Sequence, residues 1–326
     1  MSKHDEFAQQ LSDKVISMMQ NEKRAPWQRP WIGGHPPKHG FGLPYNAISG
    51  KGYRGANTIN LLVQGMLNGY TDDRWVTYKQ AQELGAQVKK GEKSTLIQFW
   101  KAPEKADATK PNSVDKEKWA GPTVMYACVF NADQIDGMPL KVDRVMPDPK
   151  WRHDECERLM KECGVSIFHD GGDQAFYIPS RDEIHLPEKQ HFLSADGYYA
   201  TVIHEIGHST GHHSRLDRDM KGKRGTESYA KEEMVAELSS MMVGERLGIG
   251  YDPGQHVAYV EHWIKILKDD PKEIMRAASS AEKVCQYLKI EGYQREVTKI
   301  INQEKALEIA KQVHEPEIKQ SIRMSM

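Results

Sequence analysis

Cysteine is scarce in this 326-residue chain, and its four examples, Cys128, Cys156, Cys163 and Cys285, are scattered without a C-x-x-C pair. That spacing excludes a disulfide framework and a zinc knuckle, and it fits buried or incidental thiols in a reducing compartment. No apolar run approaches the ~20 residues that a bilayer crossing requires. The opening Met1-Ser2-Lys3-His4-Asp5-Glu6 has no apolar signal-peptide core. These absences predict no membrane partner and a cytoplasmic location, or entry into another cell by a route that needs no such signal. Net charge is missing as well: 45 Lys+Arg against 46 Asp+Glu leaves −1. The two signs are unevenly spread, however. Residues 1–110 hold 16 Lys+Arg and 10 Asp+Glu, an excess of +6, which leaves −7 for the remainder. Such an asymmetry points to a polyanion for the first part and to a partner tolerant of acidic surroundings for the second.

What the chain does contain is Val202-Ile203-His204-Glu205-Ile206-Gly207-His208, an H-E-x-x-H sequence in an apolar run that begins near Tyr198. Ser194 and Asp196 offer N-caps, Tyr199, Val202, Ile203 and Ile206 recur at helical spacing, and Gly211 offers a stop. On that helix His204 and His208 share a face and can hold one metal ion, with the carboxylate of Glu205 beside it. Two neutral imidazoles, an open position for water and a carboxylate to take its proton are what a zinc hydrolase needs. His212 would join that face only if the helix ran on through Gly211.

A third ligand is expected on a nearby element, and Glu232-Glu233-Met234-Val235-Ala236-Glu237 opens a second helical run two dozen residues on. Glu233 and Glu237 are four apart, so one can bind metal while the other hydrogen-bonds a ligand imidazole. The segment resembles the E-x-x-A-[D/N] element of Glu-zincin peptidases, which implies Glu233 as ligand and Glu237 as its support, with Glu232 in solvent. Just upstream, Ile184-His185-Leu186-Pro187 reads as an edge strand on which an extended peptide could pair. Tyr229 and His212 are alternative oxyanion donors that the spacing does not separate.

The first part of the chain reads as an α+β domain over residues 1–138, with an amphipathic opening helix over residues 5–21 that places Phe7, Leu11, Val15, Met18 and Met19 on one side. Two strands joined by a Lys-Gly-Glu-Lys turn are expected around residues 86–100, and a buried apolar strand at 124–130. Aromatic and basic residues interleave with glycine from Tyr45 to Asn57, after the Trp27-Gln28-Arg29-Pro30-Trp31 segment and a Gly- and Pro-rich stretch. Rings of Trp27, Trp31, Tyr45, Tyr53 and Trp75 are candidate base-stacking faces, and Lys51, Arg54, Lys89, Lys90 and Lys93 candidate phosphate contacts. The competing reading is a Gly-rich turn with ordinary core tyrosines. Residues 139–150 are the expected linker, 151–290 a mainly helical metal domain with a small sheet, and 291–326 a charged tail.

Taken together, Trp27-Gln28-Arg29-Pro30-Trp31, Tyr53-Arg54-Gly55-Ala56-Asn57, Trp75-Val76-Thr77-Tyr78, Val88-Lys89-Lys90-Gly91-Glu92-Lys93, the H-E-x-x-H segment and Tyr229–Leu238 resemble the plasmid antirestriction proteins of the ArdC family. The N-terminal domain of that family also occurs in conjugative primases of the TraC type. The resemblance implies a domain that binds single-stranded DNA, and double-stranded DNA as a second ligand, fused to a zincin-like metallopeptidase. It further implies one Zn²⁺ or another divalent ion, a protein target in the host restriction system, and protection of incoming DNA. The rival expectation is a non-enzymatic protein that covers DNA or blocks the restriction enzyme, its metal site structural or vestigial.

Overall fold

The structure is a computed structural model that describes residues 2–28, 42–101, 123–141, 148–250 and 259–290. Trp31 and the charged tail fall outside the described residues. In chain order the elements are α1 (Lys3–Glu22), β1 (Tyr45–Asn46), α2 (Ala56–Asn68), β2 (Arg74–Thr77), α3 (Tyr78–Glu83), β3 (Gln87–Val88), β4 (Thr95–Lys101), β5 (Thr123–Asn131) and β6 (Ile135–Asp136). There follow α4 (Pro149–Glu162), β7 (Ser166–Phe168), β8 (Phe176–Ile178), β9 (Glu183–His185), α5 (Ala195–Ser209), α6 (Glu227–Leu247), α7 (Val260–Asp269) and α8 (Glu273–Tyr287). The fold is α+β, as the sequence predicts. No described helix is long and apolar enough to cross a membrane.

In the first half a four-stranded sheet runs in the order β1-β2-β5-β4. β3 and β4 follow one another as expected but do not pair: β3 joins β6, and β4 forms a seven-residue antiparallel ladder with β5. The opening helix starts at a capping box between Ser2 and Asp5 and buries Phe7, Leu11, Val15, Met18 and Met19, the predicted stripe. That stripe packs not on the sheet alone but in one large apolar cluster with Ile59 and Leu62 of α2, Val202 and Ile206 of α5, Leu238 of α6, Trp263 of α7 and Val284 of α8. Ser12 Oγ donates to Leu267 O (3.1 Å), and Lys272 pairs with Asp5 (2.6 Å). The core that carries α5 and α6 is thus built in part from the first residues of the chain.

The second sheet has the order β7-β9-β8. β9 is therefore its central strand, and the expected edge strand at 184–187 is corrected. Residues 176–178 fold back antiparallel onto β9 through a turn in which Asp182 adopts a left-handed φ of 53°, so β8 takes the edge.

Helix α5 is capped by Ser194, whose side chain accepts from Gly197 N (3.0 Å), and it ends at Ser209, where Gly211 N turns back to His208 O (2.8 Å). α6 crosses it at close range. A Cβ on Gly207 would lie 2.9 Å from Ser239 Oγ and 3.6 Å from Ala236 Cα. Glycine and alanine at the crossing let the backbones approach until a side chain from α6 reaches both histidines of α5.

Candidate metal centre

His204, His208 and Glu233 are all buried and offer ligand atoms that lie within 4.8 Å of one another. Each Glu233 carboxylate oxygen faces one imidazole: Oε2 is 3.7 Å from His204 Nε2, and Oε1 is 3.7 Å from His208 Nε2. Four donors at ~2.1 Å around one tetrahedral ion stand ~3.4 Å apart. The donor set, N, N and O, and its spacing therefore fit a single divalent ion with one position left open. Glu205, one residue after the first ligand, is 6 % exposed and lies close enough to His208 for its charge to act on that imidazole.

The surroundings of the ligands differ from expectation in one respect. Glu232 is not in solvent: it is 7 % exposed, accepts from His208 Nδ1 (3.2 Å) and is gripped by Arg218. The chain leaves α5 after Ser209 and returns into α6 at Glu227, which brings Arg218 of the intervening loop back over the helix crossing. Burial raises the Glu232 carboxyl, but the Arg218 guanidinium and the His208 imidazole together outweigh it and hold the group below the usual carboxylate range. Burial likewise opposes charge on His208, yet the carboxylates of Glu233 and Glu232 outweigh it and hold that imidazole well above its ordinary value. Glu232 accepts the Nδ1 hydrogen, so a metal ion would bind at Nε2, which faces Glu233, by displacing the proton there. Sequence spacing could not show this, because Arg218 and Glu232 meet only through space.

Glu237 is fully buried and accepts from Gln28 Nε2 (3.2 Å), so it meets the first half of the chain. Of the two oxyanion candidates, Tyr229 stands beside the centre: its hydroxyl donates to the Glu233 carboxylate, and burial followed by that negative charge raises its pKa. His212 lies past the helix end, bonded through Nδ1 to Ser214 Oγ (2.8 Å), and is not among the clustered ligands.

The candidate nucleic-acid residues divide. Trp27, Trp75 and Tyr45 are 2 %, 0 % and 8 % exposed, which corrects them as stacking faces: a ring enclosed by protein has no face to offer a base. Trp27 packs on Trp263 at 5.6 Å between centroids, and Trp75 meets Tyr70 edge-on at 6.0 Å. Tyr53 is half-buried. Lys51, Arg54, Lys89, Lys90 and Lys93 are exposed, although Arg54 leans to Glu282 (3.7 Å) and Lys89 donates to Asp133 O (2.8 Å). Among the described residues of this half, the large aromatic rings most open to solvent are ones the sequence pattern passed over: Phe99 and Trp100 on β4 and Tyr78 at the start of α3. Strand alternation alone could have pointed to one of the adjacent Phe99 and Trp100, which occupy opposite faces.

A family model described as the N-terminal domain of anti-restriction factor ArdC matches residues 5–131, and another described as a zincin-like metallopeptidase matches residues 154–280. A DNA primase TraC of Escherichia coli is 46 % identical over 294 residues, which cover 86 % of this chain. The chain spans only 20 % of that primase and 27 % of a second TraC primase. The uncharacterized protein y4eC of Sinorhizobium fredii is 33 % identical over 287 residues, 86 % of this chain and 90 % of the relative. Among solved structures, the Mn(II)-bound crystal structure of the antirestriction ArdC protein from plasmid R388 superposes with a TM-score of 0.68 at 34 % identity, covering 86 % of this chain and 96 % of that one. The metal-free structure of the same protein matches equally well.

Proposed function

This chain belongs to the ArdC family of antirestriction proteins, and from that premise we propose that it binds single-stranded DNA through its first half and carries a zinc-dependent peptidase site in its second. The observation that carries the reading is the buried set of His204, His208 and Glu233 with Glu205 beside it. A purely structural ion has no use for a carboxylate base next to its ligands.

His204, His208 and Glu233 would hold the ion, Zn²⁺ by preference for two imidazoles and a carboxylate, with Mn²⁺ an alternative in view of the relative from plasmid R388. When bound, such an ion supplies Lewis acidity to a peptide carbonyl and lowers the pKa of water. Glu205 takes the proton of the attacking water and passes it to the leaving amine. The Tyr229 hydroxyl, held at the Glu233 carboxylate, would donate to the carbonyl oxygen as negative charge develops on it. Glu232 keeps His208 in the tautomer that presents Nε2.

For the nucleic acid, support comes from the names of the relatives, a DNA primase and an antirestriction protein, and from the positive excess of residues 1–110. Lys51, Arg54, Lys89, Lys90 and Lys93 supply phosphate contacts, and Phe99 and Trp100 supply ring faces in place of the buried tryptophans. Binding of this kind tolerates sequence and weakens steeply with salt. The biological result is protection of plasmid DNA that enters a new host, against that host's restriction system.

Glu205→Gln tests the chemistry. It should leave metal content and oligonucleotide binding intact and lower protection of incoming DNA, with any peptidase turnover reduced about 10²–10⁴-fold. Full protection by this variant would mean that DNA is covered without hydrolysis.

A further inference from the structure

We propose that Arg218 is a positioning residue of the metal centre, acting on the ligand His208 through Glu232. The inference rests on the reading that His204, His208 and Glu233 hold a divalent ion. Arg218 sits in the loop between α5 and α6, and its guanidinium makes four hydrogen bonds back into the centre. Nε donates to Glu232 Oε2 (2.8 Å) and Nη2 to Glu232 Oε1 (2.6 Å), a fork on one carboxylate. Nη2 also donates to Gly207 O (2.8 Å), and Nη1 to Thr210 Oγ1 (2.8 Å).

Gly207 in α5 and Thr210, which caps that helix, bracket His208 in sequence, and Glu232 immediately precedes the third ligand in α6. One side chain therefore fixes both ligand-bearing helices at the crossing. The same Oε1 that Arg218 holds accepts from His208 Nδ1 (3.2 Å). Without the guanidinium, Glu232 would be a buried carboxylate that has lost its cation, free to turn away from the imidazole. A partner that orients a ligand imidazole typically accounts for about 10–100-fold in metal affinity. Lysine at 218 would keep the charge, but a single ammonium cannot reproduce a planar fork together with two further bonds in fixed directions.

The probe is Co²⁺, titrated into the metal-free full-length protein and read from its visible absorption. Arg218→Ala should bind Co²⁺ about 10–100-fold more weakly than wild type, with an altered band envelope, and Arg218→Lys should fall between the two. Arg276→Ala, which removes an exposed partner of Asp270, should bind as wild type does. Thermal melts of the metal-free variants separate a folding defect from a ligand defect. If Arg218→Ala does not fold, Arg218→Lys carries the comparison. Wild-type Co²⁺ affinity and spectrum in folded Arg218 variants, with only the melting temperature lowered, would reduce Arg218 to a structural role and overturn the proposal. Failure of the wild-type protein to bind Co²⁺ would instead overturn the metal reading beneath it, and the proposal with it.

Discussion

Arg215 does for the small sheet what Arg218 does for the metal crossing. Its guanidinium pairs with both oxygens of Asp182, one of them at 2.9 Å, and donates to Ser209 O (2.7 Å) at the end of α5. The Tyr177 hydroxyl donates to the same carboxylate (2.7 Å). The Arg215 hydrogen bonds hold the Asp182 carboxyl below its ordinary range. A lowered carboxylate pKa contributes stability that is present in full above the unfolded-state value, ~4, and is lost as pH falls through the folded value. Wild type should therefore melt above Asp182→Asn at pH 6, and the gap should close towards pH 3. Asparagine tolerates the left-handed φ of 53° at this position, so the comparison isolates charge. A gap that stays constant across that pH range would remove the ion pair from the account. The residues of the H-E-x-x-H segment were legible in the sequence because helix geometry fixes where i and i+4 point. Arg215 and Arg218 were not, since a loop carries no periodicity that says which way its side chains return.

Among elements, the crossing of α5 and α6 decides whether Glu233 reaches the histidines, and Gly207 sets its closeness. Alanine in a helix is favoured over glycine by ~1 kcal/mol, but its Cβ here would stand 2.9 Å from Ser239 Oγ. Gly207→Ala alone should lower the melting temperature and weaken metal binding. In a Ser239→Ala background the obstructing oxygen is gone, and the same change should become neutral or stabilising. Equal effects in both backgrounds would show that the hydroxyl is not the obstacle. The helices themselves were readable from the 3.6-residue period, which correctly gave the buried stripe of α1 and the start and stop of α5. Strand order was not readable: residues 183–185 look like an edge strand by composition, yet lie between β7 and β8. Trp27 and Trp75 misled for a related reason. An aromatic beside glycine and arginine has the same local pattern whether it stacks on a base or, like Trp27, on Trp263.

In the whole molecule, the two halves that sequence composition separates share one core. Trp27 leans on Trp263, whose indole N–H donates to Ala230 O (2.7 Å) in the helix of Glu233, and Gln28 bonds Glu237 of that same helix. Unfolding in urea followed by tryptophan fluorescence and by far-ultraviolet circular dichroism should give one coincident transition. Two separated transitions would show that the halves fold independently. The junction has a consequence for heredity. A recombination event that cut the gene between the halves would strip α1 of its partners and leave the metal helices uncovered at Trp263, so neither product would be a sound starting point for selection. What can be copied into a larger gene without harm is the pair. The stretch shared with the TraC primase of Escherichia coli covers 86 % of this chain and both halves of it, inside a protein of which it forms 20 %, which is the footprint that a cassette inherited whole would leave.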